Sequence, residues 1–252
     1  MRTNTKALDL HKSINGITAL VSDLDWPGWR AHASVNYFSE VAPNLLAVDN
    51  RNRLIFPTTS IFSLVGDSLT GSHAESNLVG CEGVLGHWLL GPEPHHPTQF
   101  FLQTAGFGIV VSADFLRRRF EESSEFRLAI LNHLTAMVRF ATQTCVCYRF
   151  HTIKQQIAKM LLQTLRRTGG NIVKTSHETI GKTLGVRRES VTDALTYFEQ
   201  LGLITKGRRL IVVTCPDELG YQACECYHLQ VRYLDYTSRS LKGPVQDKHN
   251  DL

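Results

Sequence analysis

The sequence lacks the features that place a chain in a membrane or outside the cell. It has no apolar run near the roughly 20 residues that cross a bilayer, and its first ten residues mix charged and polar types instead of forming an apolar signal segment. We therefore expect a cytoplasmic protein, in which six cysteines do not imply a disulfide framework. With 42% hydrophobic and 20% charged residues, the 252-residue chain is of a globular type that predicts one large domain or two modest ones.

Positive charge is absent from a long internal segment. Neither lysine nor arginine occurs between Arg53 and Arg117, a gap of 63 residues. Residues 1–150 carry 12 Lys and Arg against 13 Asp and Glu, whereas residues 151–252 carry 15 against 10, so the net charges are −1 and +5. This distribution indicates a neutral N-terminal module and a C-terminal module suited to an anionic partner.

The N-terminal module alternates short apolar runs with turn residues. Residues 1–34 give no clear pattern, but from about residue 35 to 111 the runs recur at roughly ten-residue spacing, which predicts short strands of a small barrel or sandwich. The predicted strands are residues 54–56, 61–65, 84–85, 88–90, 100–103 and 107–111. The segment 91–97 contains three prolines and is predicted to be a loop.

Helical periodicity begins near Ser112. Six residues follow the 3, 4, 3, 4, 3 spacing of a coiled-coil seam, and they are Leu131, Leu134, Val138, Ala141, Cys145 and Tyr148. The spacing leaves two readings open, a dimer seam or an ordinary helix packed on the barrel. A further helix is predicted over residues 153–165, ending at Gly169.

The strongest pattern lies between residues 175 and 213. Thr175-Ser-His-Glu178 has the form of a capping box and predicts a helix that ends at Gly185. A second helix is predicted over residues 188–201, ending at Gly202. Two short helices joined by a tight glycine-containing turn indicate a helix-turn-helix.

Small and apolar residues stand where such a pair needs them. Gly181 allows the helices to approach closely, and the expected contacts between them come from Ile180, Leu184, Val186, Val191 and Ala194. Two β-prone runs then flank Lys206-Gly-Arg-Arg209, which predicts the basic hairpin of a winged helix.

This winged helix predicts binding to duplex DNA. Residues 166–209 contain nine basic and four acidic residues, and a recognition helix presents its N-terminal side chains to base edges in the major groove. The candidate base-reading residues are Arg187, Arg188, Glu189, Ser190 and Thr192. Phosphate contacts, which set affinity more than sequence choice, are expected from Lys182, Lys206, Arg208 and Arg209.

The chain resembles the CRP/FNR family of transcription regulators. The motifs that carry the resemblance are Phe56-Pro57, Gly80-x-Glu-Gly83, Cys147-Tyr-Arg-Phe-His151, Leu184-Gly-Val-Arg-Arg188 and Ala223-Cys-Glu-Cys-Tyr227. The resemblance implies an α+β protein with a cyclic-nucleotide-binding-like β-barrel (a double-stranded β-helix), a long dimerisation helix and a C-terminal winged helix-turn-helix. The corresponding domains would be residues 1–120, 121–150 and 151–236, followed by a polar tail over 237–252.

The same resemblance implies partners and a candidate effector site. Family members form homodimers on two-fold symmetric operators and act on RNA polymerase, and Arg188-Glu189 matches their base-reading pair, whereas Asp193 replaces a second arginine. The candidate effector pocket comprises Glu82, Gly83 and Thr98. Because no arginine follows Glu82 in the barrel segment, we do not expect cyclic AMP, unless Arg127 or Arg139 of the dimer helix supplies a cation. A regulator without a small effector is the alternative.

Neither a cofactor nor a metal is expected from the cysteines. Cys145-x-Cys147 and Cys224-x-Cys226 lack the C-x₂-C spacing of zinc sites, and the N-terminal cysteine cluster of iron–sulfur sensors in this family is missing. We therefore expect structural cysteines. A Ser/His/Asp set, a P-loop and a dinucleotide fingerprint are all absent, which argues against an enzyme. The rival hypothesis is a metal-dependent barrel enzyme using Glu93, His95 and His96, with a C-terminal interaction module.

Overall fold

Two antiparallel sheets form the N-terminal half. The computed structural model describes residues 5–22, 25–39, 52–67, 73–91 and 99–240. The strands are β1 (Ala33–Phe38), β2 (Arg53–Pro57), β3 (Ile61–Asp67), β4 (His73–Val79), β5 (Gln99–Thr104) and β6 (Gly106–Ser112). They pair in the orders β1-β6-β2 and β4-β3-β5. Ile55 and Val110 of one sheet share a buried cluster with Phe62 and Val79 of the other, so the sheets face each other as in a barrel.

The N-terminal segment, which gave no clear sequence pattern, belongs to this barrel. Helix α1 (Thr5–Ile14) buries Leu8 against it, and helix α2 (Trp26–Arg30) buries Trp26 and Trp29. Asn15 between them is fully buried and donates through Nδ2 to the carbonyls of Pro57 (2.8 Å) and Gly83 (2.9 Å). These anchors are isolated residues, which no periodic pattern would indicate.

Two of the predicted strands are wrong, and two real strands of the barrel, β1 and β4, were missed. Residues 88–90 lie in a 3₁₀ turn, His87–Leu90, and residues 84–85 contribute only an isolated bridge between Leu85 and Ile55. Gly86 has φ of 88°, a left-handed conformation that redirects the chain and lets Trp88 become buried through a turn. Strand β4 was missed because its sequence is largely polar. The predicted proline-rich loop 91–97 lies, apart from Gly91, outside the described residues.

Two helices follow β6. They are α3 (Ala113–Glu122) and α4 (Ser124–Phe150), and the latter lies against the barrel through one face that includes Phe126, Ile130 and Phe140. Within the described part of the chain, no helix is both long and apolar enough to cross a membrane.

A second core lies beyond a two-residue linker, His151-Thr152. Its elements are α5 (Ile153–Thr168), β7 (Ile172–Val173), α6 (His177–Leu184), α7 (Arg188–Gln200), β8 (Ile204–Gly207), β9 (Leu210–Val213), α8 (Pro216–Gln222) and α9 (Cys226–Ser240). Strands β7, β9 and β8 form an antiparallel sheet in that order. Helix α9 extends to Ser240, four residues beyond the predicted end of the DNA-binding domain at residue 236.

Candidate DNA-binding surface

Helix α6 begins one residue later than the predicted capping box implies. Ser176, not Thr175, is the N-cap, and its hydroxyl accepts from the Thr179 amide at 3.1 Å. Glu178 does not return to the N-cap but pairs with Lys182 at 2.8 Å, one turn along an exposed face. Thr175 is buried instead, and its amide donates to the Arg209 carbonyl of the wing.

The turn between α6 and α7 has the predicted geometry. Gly185 adopts φ of 67°, which favours glycine. A Cβ at Gly181 would lie 2.9 Å from the Val186 carbonyl oxygen, so the helix and the turn approach as closely as expected. Ile180 and Val191 are fully buried between the two helices. These contacts set the angle at which α7 leaves the surface.

The first turn of α7 is exposed on the side away from that core. Arg187 is the N-cap residue, and its side chain, like those of Arg188 and Glu189, is exposed, while Ser190 is half-buried. The opposite face of α7 carries Val191, Ala194, Leu195 and Phe198, all buried. The structure therefore places four of the five candidate base-reading residues on one outward end of a helix whose N-terminus favours anions.

The fifth candidate, Thr192, is already engaged. Its hydroxyl donates to the Arg188 carbonyl at 3.1 Å and lies 3.0 Å from Nδ1 of His177. Partial burial, together with Lys206 and Arg188, lowers the pKa of His177 and so favours the neutral imidazole. Sequence reasoning missed His177, because its place at the start of α6 shows no link to α7.

The wing has the predicted basic tip. Arg208 and Arg209 form the two-residue turn between β8 and β9, both are exposed, and Arg209 adopts φ of 58°. Lys206 is different, because its ammonium group lies 2.8 Å from Glu199 and 3.1 Å from the Thr196 hydroxyl, both on α7. Lys206 therefore ties the wing to the recognition helix.

The wing and the two helices enclose one polar cleft. Its walls include His177 and Glu178 of α6, Arg188 of α7, and Lys206 and Arg209 of the wing. Arg188 and Arg209 both act electrostatically on Glu178 and lower its pKa, after the larger effect of Lys182. Cations from separate elements thus converge on one surface.

The candidate effector site is filled by the protein's own side chains. The guanidinium of Arg167, on α5, donates through Nε to Glu82 Oε1 at 2.9 Å, and its side chain is only 3% exposed. A Cβ at Gly83 would lie 2.4 Å from the His133 ring. Thr98 lies outside the described residues, as do Glu93, His95 and His96.

The cation at Glu82 is not one of the two that were considered from sequence. Arg127 donates to the Phe120 carbonyl at 2.6 Å, and the guanidinium of Arg139 lies 6.0 Å from the Tyr233 ring centroid. The residue that reaches the barrel carboxylate comes from the DNA-binding half, which a dimer-helix search could not find.

A second buried carboxylate lies at the same boundary between the halves. Glu75 of β4 accepts from the Ser63 hydroxyl at 2.6 Å. Burial raises its pKa to about 7, although Ser63 and then the Lys159 and Arg167 cations act in the opposite direction. Two carboxylates of the barrel thus face two buried cations of α5.

The predicted seam is divided between the two sides of α4. Leu131, Val138 and Cys145 are exposed, with Val138 67% exposed, whereas Leu134 packs on the barrel core and Tyr148 on the C-terminal core. An unbroken exposed line with the same 3, 4, 3, 4, 3 spacing comprises Leu128, Leu131, Thr135, Val138, Thr142 and Cys145. We call this set the outer stripe. The two threonine hydroxyls in it donate to carbonyls one turn back, which leaves their methyl groups outward.

Known proteins share this fold and this domain. Residues 155–220 match the family model described as the Crp-like helix-turn-helix domain. A regulator of the CRP/FNR family from Eubacterium rectale superposes with a TM-score of 0.61 at 14% identity, covering 80% of this chain and 94% of that one. FixK2 from Bradyrhizobium japonicum gives 0.59 at 18% identity, covering 69% and 88%. No significant match is found among curated proteins.

A third protein of similar structure responds to a small-molecule ligand. The c-di-GMP-responsive global regulator CLP of Xanthomonas campestris gives a TM-score of 0.55 at 14% identity, covering 73% of this chain and 94% of that one. CLP and the Eubacterium rectale protein are both named as regulators.

Proposed function

We propose that this chain, which has the fold of CRP/FNR transcription regulators and carries a Crp-like helix-turn-helix domain, is a homodimeric, sequence-specific DNA-binding regulator. The observation that carries the proposal is the exposed first turn of α7, with Arg188 and Glu189, beside the basic tip of the wing. Arginine can bind guanine with two hydrogen bonds, and a carboxylate can accept from the cytosine amino group. Since it would act on DNA and RNA polymerase, we expect it in the cytoplasm.

The proposed roles of the surface residues follow from their positions and exposure. Arg187, Arg188, Glu189 and Ser190 are the proposed base readers, and Thr192 would orient the helix through His177. Arg208 and Arg209 are the principal proposed phosphate contacts. Lys182 and Lys206 each have a carboxylate partner at 2.8 Å, so phosphate binding would have to compete with Glu178 or Glu199.

The proposed dimer forms through the outer stripe of α4. Exposed Leu131 and Val138 lie one heptad apart on that stripe, which is the arrangement that two helices use to pack knobs into holes. The opposite face of α4 is already buried against the barrel and α9. A second copy of the chain would therefore cover the outer stripe without disturbing the fold, and a two-fold axis would relate the two recognition helices.

We propose further that cyclic AMP does not control this protein. A phosphate bound near Glu82 would have to displace Glu82 from Arg167 or share this arginine with it. The barrel segment between Arg53 and Arg117 contains no lysine or arginine of its own. The c-di-GMP-responsive regulator with a similar fold supports ligands of other kinds in this architecture. Calorimetry with cyclic AMP should give no heat of binding, and saturable binding would refute this part.

Selection of bound fragments from genomic DNA tests the main proposal. The purified chain should enrich a two-fold symmetric motif whose half-sites lie about 34 Å apart, one helical turn. The matched control is a chain with both Arg188→Ala and Glu189→Ala, which should keep weak, salt-sensitive binding but lose the motif. Enrichment of no motif by the wild-type chain would refute sequence-specific regulation. The rival enzyme hypothesis rests on Glu93, His95 and His96, which are outside the described residues, and no observation favours it.

A further inference from the structure

Four potential metal ligands from distant parts of the sequence meet where α4 ends. Cys147 lies in the last turn of α4 and His151 is its C-cap, whereas Cys224 and Cys226 flank the start of α9. Their ligating atoms all lie within 4.8 Å of one another. The Cys147 and Cys224 sulfurs are 3.6 Å apart, and the Cys226 sulfur lies 3.4 Å from Nδ1 of His151. We call these four residues the cysteine–histidine cluster.

We propose that the cysteine–histidine cluster binds one Zn²⁺ ion as a structural site. A tetrahedral zinc ion with Zn–S distances of about 2.3 Å and Zn–N distances of about 2.0–2.1 Å requires S–S edges of about 3.8 Å and S–N edges of about 3.5 Å. The two measured separations are within about 0.2 Å of these edges. Three cysteines and one histidine also form a complete ligand set, which is typical of structural zinc sites.

The histidine is held with the correct nitrogen inward. Nε2 of His151 lies 3.1 Å from the Glu225 carboxylate, so this nitrogen carries the proton and donates it outward. The lone pair of Nδ1 is thereby directed to the cluster. A carboxylate that orients a ligating histidine from behind is a recurrent second layer of zinc sites. Glu225 stands between Cys224 and Cys226, so one short segment supplies two sulfurs and this orienting group.

The surroundings also suit thiolates bound to a divalent ion. Nε2 of Gln143 donates to the Cys226 sulfur at 3.0 Å. The buried ammonium group of Lys159, only 4% exposed, favours the thiolate form of Cys147 electrostatically. Three thiolates and one Zn²⁺ carry a net charge of −1, which the buried ammonium group would balance. Cysteines that only fill space need neither an oriented histidine nor a buried cation.

A single ion fits better than the alternatives for the same atoms. A disulfide would have to bring two sulfurs from 3.6 Å to about 2.05 Å and would leave His151 and Cys226 without a role. An iron–sulfur cluster distributes its protein ligands over at least two irons, whereas here all four ligating atoms are mutually close. The expectation that no metal binds rested on the missing C-x₂-C spacing, because Cys-x₃-His and Cys-x-Cys become one set only through folding.

The site would connect three parts of the molecule. His151 belongs to the two-residue linker between α4 and α5, and the Cys224–Cys226 segment leads into α9. Helix α9 already packs back on α4, where Gln230 donates to the Phe140 carbonyl and the Thr144 hydroxyl. Zinc would therefore fasten the linker and α9 to the end of the proposed dimer helix, and so fix the direction in which the DNA-binding half leaves it.

Metal analysis of the full-length chain, purified without added metal and with its tag removed, tests the proposal. We expect one zinc per chain by mass spectrometry of the elements. The variant Cys226→Ser should lose it, while the matched controls Cys145→Ser and Cys215→Ser, outside the cluster, should keep it. Iron with a visible chromophore, a Cys147–Cys224 disulfide, or a metal-free chain that does not take up added Zn²⁺ stoichiometrically would each overturn the proposal.

Two further measurements keep the test valid where a variant fails to fold. Wild-type protein reloaded with Co²⁺ should show the sulfur-to-cobalt and ligand-field absorption of a tetrahedral S₃N site, and an octahedral spectrum would refute the ligand set. His151→Cys should retain the ion with an S₄ spectrum, whereas His151→Ala should bind it at least tenfold more weakly. Equal affinity of the two variants would exclude His151 as a ligand.

Discussion

The cations of the C-terminal half differ in their partners, and only some of them are available to bind DNA. Arg167 and Lys159 on α5 are buried and face Glu82 and Glu75 of the barrel. Lys182 and Lys206 are paired on the surface. The count of basic residues therefore overstates the charge that is available to DNA. Because each neutralised phosphate adds about 0.9 to the salt slope, we expect a shallower salt dependence than nine basic residues would suggest.

Among the exposed cations, Arg188 should matter most for sequence choice. Arg188→Ala is expected to cost roughly 1–3 kcal/mol on the operator and much less on random DNA, since it removes a base contact. Arg208→Ala at the wing tip is the control, because loss of a phosphate contact should weaken binding to the operator and binding to random DNA to a similar extent. Fluorescence anisotropy with the two DNAs measures this. Equal losses for Arg188→Ala would contradict its base-reading role.

Glu75 should make stability depend on pH. The unfolded chain releases this proton near the ordinary pKa of 4.5, whereas the folded chain keeps it until about pH 7. The folded state therefore binds more protons within that window, and the free energy of unfolding falls as pH rises through it. At about 1.4 kcal/mol per pKa unit, the difference of about 2.5 between the two pKa values makes the loss at most roughly 3.5 kcal/mol.

Substitution isolates this contribution. Glu75→Gln should remove the fall between pH 5 and pH 8 and be more stable than wild type at pH 8, as measured by urea unfolding. Glu121→Gln, at an exposed position, should keep the wild-type pH profile. If Glu75→Gln also shows the wild-type fall in stability between pH 5 and pH 8, the titrating group is not Glu75.

At the scale of elements, α4 has two apolar faces with different partners. The inner face is covered by the barrel and α9, while the outer stripe is exposed within one chain. The seam predicted from the 3, 4 spacing combined residues of both faces. A helix that is apolar on two sides contains more than one row of apolar residues with this spacing, and the sequence does not tell these rows apart. The structure separates them by burial.

The outer stripe gives a test of the proposed dimer. Val138→Glu would place a charge in the seam and should weaken self-association at least about tenfold, or 1.4 kcal/mol. Leu10→Glu changes a similarly exposed apolar residue on α1 and should leave self-association unaltered. Sedimentation equilibrium measures both. An undisturbed dimer of Val138→Glu would show that this face is not the interface.

How far the sequence predicted each element depended on the range of its contacts. The winged helix was predicted because Gly185, Gly202 and the basic wing are local signals, read within a few residues. The turn at Trp88 was not, because a left-handed Gly86 and burial against the barrel overrode its apolar run. The pairs Glu82–Arg167 and Cys147–Cys224 join residues 85 and 77 positions apart, so only the folded chain brings them together.

For the whole molecule, α5 is the connection between the two halves. At its C-terminal end Arg167 binds Glu82 of the barrel, and before its N-terminal end lies His151 of the cysteine–histidine cluster. The capping box of Thr152 and Gln155 fixes the start of the helix directly after the linker. The orientation of the DNA-binding half thus depends on polar contacts at both ends of one helix.

Removing the barrel carboxylate should loosen this connection. Glu82→Gln leaves the buried Arg167 guanidinium with a neutral acceptor and should lower the free energy of unfolding by about 1–3 kcal/mol. Glu178→Gln, which breaks the exposed pair with Lys182, should cost less than about 0.5 kcal/mol. Urea unfolding at pH 7 compares them. Equal costs would mean that the interdomain pair contributes no more than a surface one.

The length of α5 gives the two-residue linker a mechanical consequence. Sixteen residues span about 24 Å, so a small change of angle at His151-Thr152 would be enlarged at the far end of α5. A turn of only about 10° at the linker would carry that end through roughly 4 Å. Arg167 and Glu82, now 2.9 Å apart, would then lose contact entirely. The Arg167–Glu82 contact therefore requires that the angle at the linker be held closely, which is the role proposed for zinc at His151.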